Sequence, residues 1–142
     1  MECTVRWMGP DAGMSFVAES GSGHATVMDG APEAGGRNLG MRPMEMLLAG
    51  AGGCSAFDVV MILKKGRQAV SGCDVSLTAE RAETDPKVFT KIHFHYRVKG
   101  SQLKPDAVER AIKLSKDKYC SASIMLSQSA EITSSFEIEQ TV

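Results

Sequence analysis

Along residues 2–8 (ECTVRWM), 14–19 and 24–28, apolar and polar side chains alternate with a period of two. That is the pattern of short strands with one covered face. GPDAG and Gly21-Ser22-Gly23 lie between them and supply turn chemistry, so the amino end reads as a three-stranded meander. Residues 29–41 (DGAPEAGGRNLGM) follow no period and read as a loop of a length that often carries function. Pro43 suits the first turn of a helix and opens a long apolar run to about Lys65. Gly66 is the expected stop, with Lys64, Lys65 and Arg67 favourable at the negative end of the helix dipole. The run is apolar on nearly every face, which places this helix in the interior.

The second half repeats the alternation at greater length. Residues 73–80 (CDVSLTAE) put Cys73, Val75, Leu77 and Ala79 on one face. Residues 88–99 (VFTKIHFHYRVK) turn Ile92, Phe94, Tyr96 and Val98 inward and Lys91, His93, His95 and Arg97 outward. Thr84-Asp85-Pro86 joins the two as a hairpin. Pro105 opens a second helix over 106–119, a third covers 122–129, and 132–139 (ITSSFEIE) closes as a strand. Strands in runs with few parallel crossovers predict an α+β fold, with mostly antiparallel sheet and a long inner helix. A chain of 142 residues predicts one domain, 1–142, able to bury a core without disulfides or metals.

Charge and composition narrow the function. The formal net charge is −1 and 43% of residues are hydrophobic, which removes the basic footprint of a nucleic-acid binder. The apolar stretch 44–63 is interrupted by glycines, Glu45 and Asp58, which argues against a membrane span. The opening MECTVRWMGPDAG lacks the basic-then-apolar pattern of a signal peptide, so a cytoplasmic location is expected.

Four cysteines remain as candidate chemistry: Cys3, Cys54, Cys73 and Cys120. No CxxC pair occurs and the three histidines are scattered, so no zinc signature is present. In a reducing compartment the four are thiols or include a transient catalytic pair. Cys73 reads as a small core residue, and Cys3, near the terminus, has no assigned role. Cys54 lies in LLAGAGGCSAFDVV, where each glycine costs the helix about 1 kcal/mol relative to alanine. Gly50, Ala51, Gly52 and Gly53 therefore mark a close approach, either of another helix or of a ligand to the sulfur. From the residues alone, Cys54 and Cys120 are either two unrelated buried thiols or a pair. Asp58 shares the helical face of Cys54, as partner to a basic group or as a hydrogen-bonded acid. His24, His93 and His95 read as surface strand residues. Met41, Met44, Met46, Met61 and Met125 either fill core or line an adaptable apolar pocket.

PMEMLLAGAGGCSAFDVV, KKGRQAVSGCDVSL and LSKDKYCSAS, in that order, resemble the osmotically inducible protein C (OsmC) / organic hydroperoxide resistance (Ohr) family, in its small branch with GGCS at the first cysteine. The likeness covers nearly the whole chain. It implies an intertwined homodimer with long central helices packed between sheets. It also implies a thiol-dependent peroxidase of organic hydroperoxides, in which Cys54 attacks the peroxide and Cys120 resolves the product. A thiol or dithiol would be the reductant, and no metal or organic cofactor is implied.

Such chemistry needs a thiolate, whereas a free thiol has a pKa of about 8.5. Catalytic members of the family resemble one another in an arginine–glutamate pair that activates the first cysteine. The glutamate's place, ten residues before Cys54, holds Met44 here, and the acid is Glu45. Nine helical residues turn about 900°, which sets Glu45 and Cys54 on opposite faces of a straight helix. Glu45 reaches a thiol only across a dimer or through a kink. Arg37, rather than Arg42, is the arginine this resemblance favours. Two other readings use the same fold: a non-catalytic dimeric binding protein, and a redox sensor in which a Cys54–Cys120 bond forms slowly.

Overall fold

The computed structural model describes all 142 residues. They form two compact units, Met1–Leu48 and Ala49–Val142. In the first, β1 (Cys3–Trp7), β2 (Phe16–Ser20) and β3 (Ala25–Met28) pair antiparallel in chain order, the meander that the alternation predicted. The aperiodic stretch 29–41 holds a short 3-10 turn, Pro32–Ala34, and returns to bridge Met28 with Met41. Its order comes from the buried carboxylate of Asp29, which accepts from the Ser15 hydroxyl and from the N–H groups of Gly30, Arg37 and Leu39 at 2.7–3.2 Å. Burial alone would raise this carboxyl, but the four donors together hold it below its usual value.

Helix α1 (Pro43–Lys65) has the bounds that the sequence predicted. Its end differs in mechanism. The residue in the left-handed region is Arg67 (φ 56°), not Gly66. Arg67 N–H donates to Lys64 O and Gln68 N–H to Leu63 O, the paired bonds of a Schellman cap. The expected interior position holds for one face only. Ala51, Gly52, Ser55, Val59 and Leu63 are buried, while Phe57 is 68% exposed and Met61 38%. A helix apolar all round satisfies the interior criterion in sequence, but this chain supplies a partner for a single stripe.

The second unit is a sheet of β4 (Ala69–Arg81), β5 (Phe89–Ser101) and β6 (Glu131–Gln140), in that order. The β4–β5 hairpin is antiparallel, and β5–β6 is parallel, the one parallel pairing between named strands. A parallel neighbour needs a crossover, made by α2 (Pro105–Leu114), a π-helical turn Ser115–Tyr119 and α3 (Ser121–Leu126). The helix expected over 106–119 is thus α2 plus the wider turn, and the third helix stops at Leu126, earlier than 129. Ile92, Phe94, Tyr96 and Val98 are buried, as the period of two required, and Tyr96 meets Ser55 of α1. The opposite face carries His93 and His95 hydrogen-bonded to Thr133 and Ser135, and Arg97 paired with Glu137. The architecture is α+β, two sheets and one long helix, with mostly antiparallel pairing.

Candidate functional site

The central stripe of α1 carries Ser55 onto the sheet. Its Oγ lies 2.7 Å from Tyr96 Oη and 2.8 Å from Ser115 Oγ, and Ser115 in turn donates to Asp58 at 3.2 Å. All four polar groups of this chain are satisfied, which is the condition for burying them against an apolar core. Helix and sheet come close at Gly52: a Cβ there would stand 2.6 Å from Leu77 Cδ1, so the Leu77 side chain would have to shift. At Gly50 and Gly53 a Cβ would meet nothing within 4 Å. The small residues therefore split between the two faces, one set against β4 and one open.

Cys54 and Asp58 lie on the flank of α1 between its buried and exposed faces, and both are half-buried. Cys120 is fully buried at the entrance to α3. Its sulfur accepts from Ser123 N–H at 3.4 Å as the helix N-cap, and faces Ala51 O at 3.9 Å. Its own N–H donates to Ser115 O at 2.8 Å, closing the π-helical turn. The two sulfurs and an Asp58 carboxylate oxygen all lie within 4.8 Å of one another. Elements separated by more than sixty residues thus place Cys54 and Cys120 side by side.

Burial pushes the Cys120 thiol up, Ser123 opposes this by hydrogen bonding, and the Cys54 sulfur raises it again. A buried thiol held in its protonated form is a poor first nucleophile. The Tyr96 hydroxyl is pushed up to about 12 by burial, partly offset by the bond to Ser55. Cys73 lies half-buried on the inner face of β4, and burial, then the neighbouring Asp74, raises its thiol. Cys3 is exposed.

The other expected site residues have partners of their own. Arg37 donates from its guanidinium to Asp11 O at 2.6 Å. Glu45 pairs with Arg42, three residues before it, at 3.6 Å. Asp58 proves to be a hydrogen-bonded acid, held by Ser115. Met61 borders a cleft of about 350 Å³ with Phe57, Asp58 and Tyr119, while Met125 is 73% exposed. Sequence reasoning missed Ser55 and Ser115. The available signal was a serine on the buried stripe of an apolar helix, which has to find a partner.

Comparison with known proteins bears on this geometry. Residues 35–135 match the family model described as OsmC-like protein. The chain is 49% identical over 141 residues to Protein YhfA of Escherichia coli K12, covering 97% of this chain and 98% of that one. A crystal structure of a hypothetical protein from Aquifex aeolicus VF5 superposes with a TM-score of 0.83 at 31% identity, covering 99% and 97% of the two chains. An organic hydroperoxide resistance protein OsmC from Legionella pneumophila shares the fold at 13% identity, with a TM-score of 0.68 over 96% and 97%.

Proposed function

The chain belongs to the OsmC-like protein family, and from that premise we propose that it is a cytoplasmic, homodimeric, thiol-dependent reductase of organic hydroperoxides. The observation that carries this reading is the approach of the Cys54 and Cys120 sulfurs to within 4.8 Å. The Cys54 thiolate attacks the peroxide's outer oxygen; the O–O bond breaks, an alcohol leaves with a proton, and Cys54 becomes a sulfenic acid. Cys120 then attacks that sulfur, water leaves and a disulfide forms. The sulfurs must then close from within 4.8 Å to a bond of about 2.05 Å. Two thiols of a small thiol or dithiol reductant restore the pair by exchange. The apolar cleft beside Asp58, bordered by Phe57 and Met61, suits the organic tail of the substrate. The fold shared with a hydroperoxide resistance protein accords with a role in oxidative-stress defence.

Activation of Cys54 is assigned to Arg37 and Glu45. The engagement of Arg37 with Asp11 and of Glu45 with Arg42 favours a second reading, a thiol pair that oxidises slowly and acts as a redox switch. Rapid mixing of the reduced protein with cumene hydroperoxide separates the two. Loss of about two thiols per chain within the first turnover, abolished by Cys54→Ser, supports the reductase. In Cys120→Ser a sulfenic acid should persist on Cys54, trapped by dimedone and visible by mass. Oxidation no faster than that of Cys3 in the same protein would leave the switch.

A further inference from the structure

Three soft or anionic donors meet in one place here, Cys54 and Asp58 four residues apart on α1 and Cys120 at the entrance to α3. We propose that the reduced protein binds a soft divalent cation of the zinc class between Cys54, Asp58 and Cys120. A tetrahedral zinc ion with sulfur ligands at about 2.3 Å sets those sulfurs about 3.8 Å apart. The donor atoms already lie within 4.8 Å of one another, close to that spacing. Two thiolates and one carboxylate are a donor set that favours such an ion over calcium or magnesium, which take oxygen ligands.

The surroundings orient the donors as metal sites require. Ser115 donates to Oδ2 of Asp58, fixing the carboxylate, and is itself held by Ser55 and, through it, Tyr96. Cys120 is fixed by the Ser123 N–H and by its own N–H on Ser115 O. Outer partners of this kind contribute roughly tenfold or more to metal affinity. Asp58 also borders the cleft with Phe57 and Tyr119, so the fourth position has access to water or to an added thiol. Both cysteines bind as thiolates, so any thiol proton they carry is released on binding. The ion occupies the sulfur lone pairs that attack on a peroxide or formation of a disulfide would use, so the metal-loaded pair is protected and the disulfide form cannot bind. The site uses the same cysteines as the proposed reductase but does not depend on peroxide chemistry.

The test is titration of the reduced, metal-free, full-length protein with cadmium under anaerobic conditions, following the ultraviolet sulfur-to-cadmium charge-transfer band, with zinc as competitor. About one ion per chain is expected. Cys54→Ser and Cys120→Ser should each weaken binding roughly tenfold or more and diminish the band. Asp58→Asn should weaken binding with the band retained, because both thiolates remain. Cys120→Ser keeps an oxygen at the α3 N-cap, and its helical circular dichroism should match the parent. A band surviving both cysteine substitutions belongs to Cys3 or Cys73 and overturns the site. Unchanged affinity in Asp58→Asn overturns the three-donor arrangement. Single-turnover peroxide reduction by the metal-free protein is measured separately; its absence would sink the reductase reading while leaving the cadmium titration intact.

Discussion

Ser115 does three things with two atoms. Its hydroxyl joins Ser55 to Asp58, and its carbonyl receives the N–H of Cys120. Ser115→Ala removes the hydroxyl and leaves Asp58 and Ser55 each short of a bond, a cost of about 1–3 kcal/mol. Urea unfolding should show it as a lower midpoint with an unchanged slope. Tyr96→Phe is milder, about 1 kcal/mol, because Ser55 retains Ser115. Tyr96 also imposes a pH dependence. Its hydroxyl titrates near 10 in the unfolded chain and about 12 in the folded one. The folded state holds that proton more tightly, so the stability it contributes is fully present below pH 10 and is lost as pH rises through about 12. Tyr96→Phe should flatten that alkaline decline, read from chemical unfolding between those limits; an equal decline in both proteins would refute the assignment. The inward side of Tyr96 and a hydrogen-bonded role for Asp58 were legible in the sequence, but the links between them were not. Serines 55 and 115 are sixty residues apart, and only the crossover geometry makes them neighbours.

Elements were the most legible level, and their ends the least. The hydrophobic period placed the inner residues of β5 correctly because a slip of one position would have put charges on the core. Composition located the end of α1 correctly, with Gly66 directly after Lys65, but the left-handed conformation that glycine favours falls one residue later, at Arg67. Arg67→Gly should therefore stabilise the protein by about 0.5–1 kcal/mol, relieving the Cβ strain at φ 56° while keeping both cap bonds. A differential scan that shows no rise in Tm would mean that the Arg67 side chain contributes as much as the strain costs. The stretch 29–41 was legible as a loop but not as an ordered one, because three of its backbone N–H groups are held by the side chain of Asp29, a contact with no sequence period. Since the folded state holds that group ionised below its usual pKa, its contribution is present above about pH 3.8 and fades as pH falls further. Asp29→Ala should open this stretch to limited proteolysis at neutral pH, with cleavage inside 29–41 well before the sheet strands are cut.

At the level of the whole molecule, the fate of α1 decides the assembly. Its buried stripe, centred on Ser55 and Val59, and the residues Gly50, Gly53, Phe57 and Met61 lie about 170° apart around the helix axis. The second set is small at one end and large and apolar at the other, and nothing in the chain covers it: Phe57 is 68% exposed. A second copy of this helix is the occupant that the homodimer reading supplies, with glycines admitting the facing backbone and Phe57 filling the wider end. Burying one phenylalanine side chain contributes about 1.5–3 kcal/mol, and two-fold symmetry counts it twice. A carboxylate there would have to be desolvated without a partner. Phe57→Glu should therefore sediment as a monomer at concentrations where the parent sediments as a dimer, with its helical circular dichroism unchanged, because Phe57 contributes nothing to the buried stripe. Cys54 sits on the flank between the two stripes, so the same variant tests whether the second copy shapes the thiol site. A Phe57→Glu monomer that still oxidises at the parent rate places the chemistry within one chain. A monomer that loses its rate while Cys54 and Cys120 can still be joined by a chemical oxidant places part of the peroxide site on the partner.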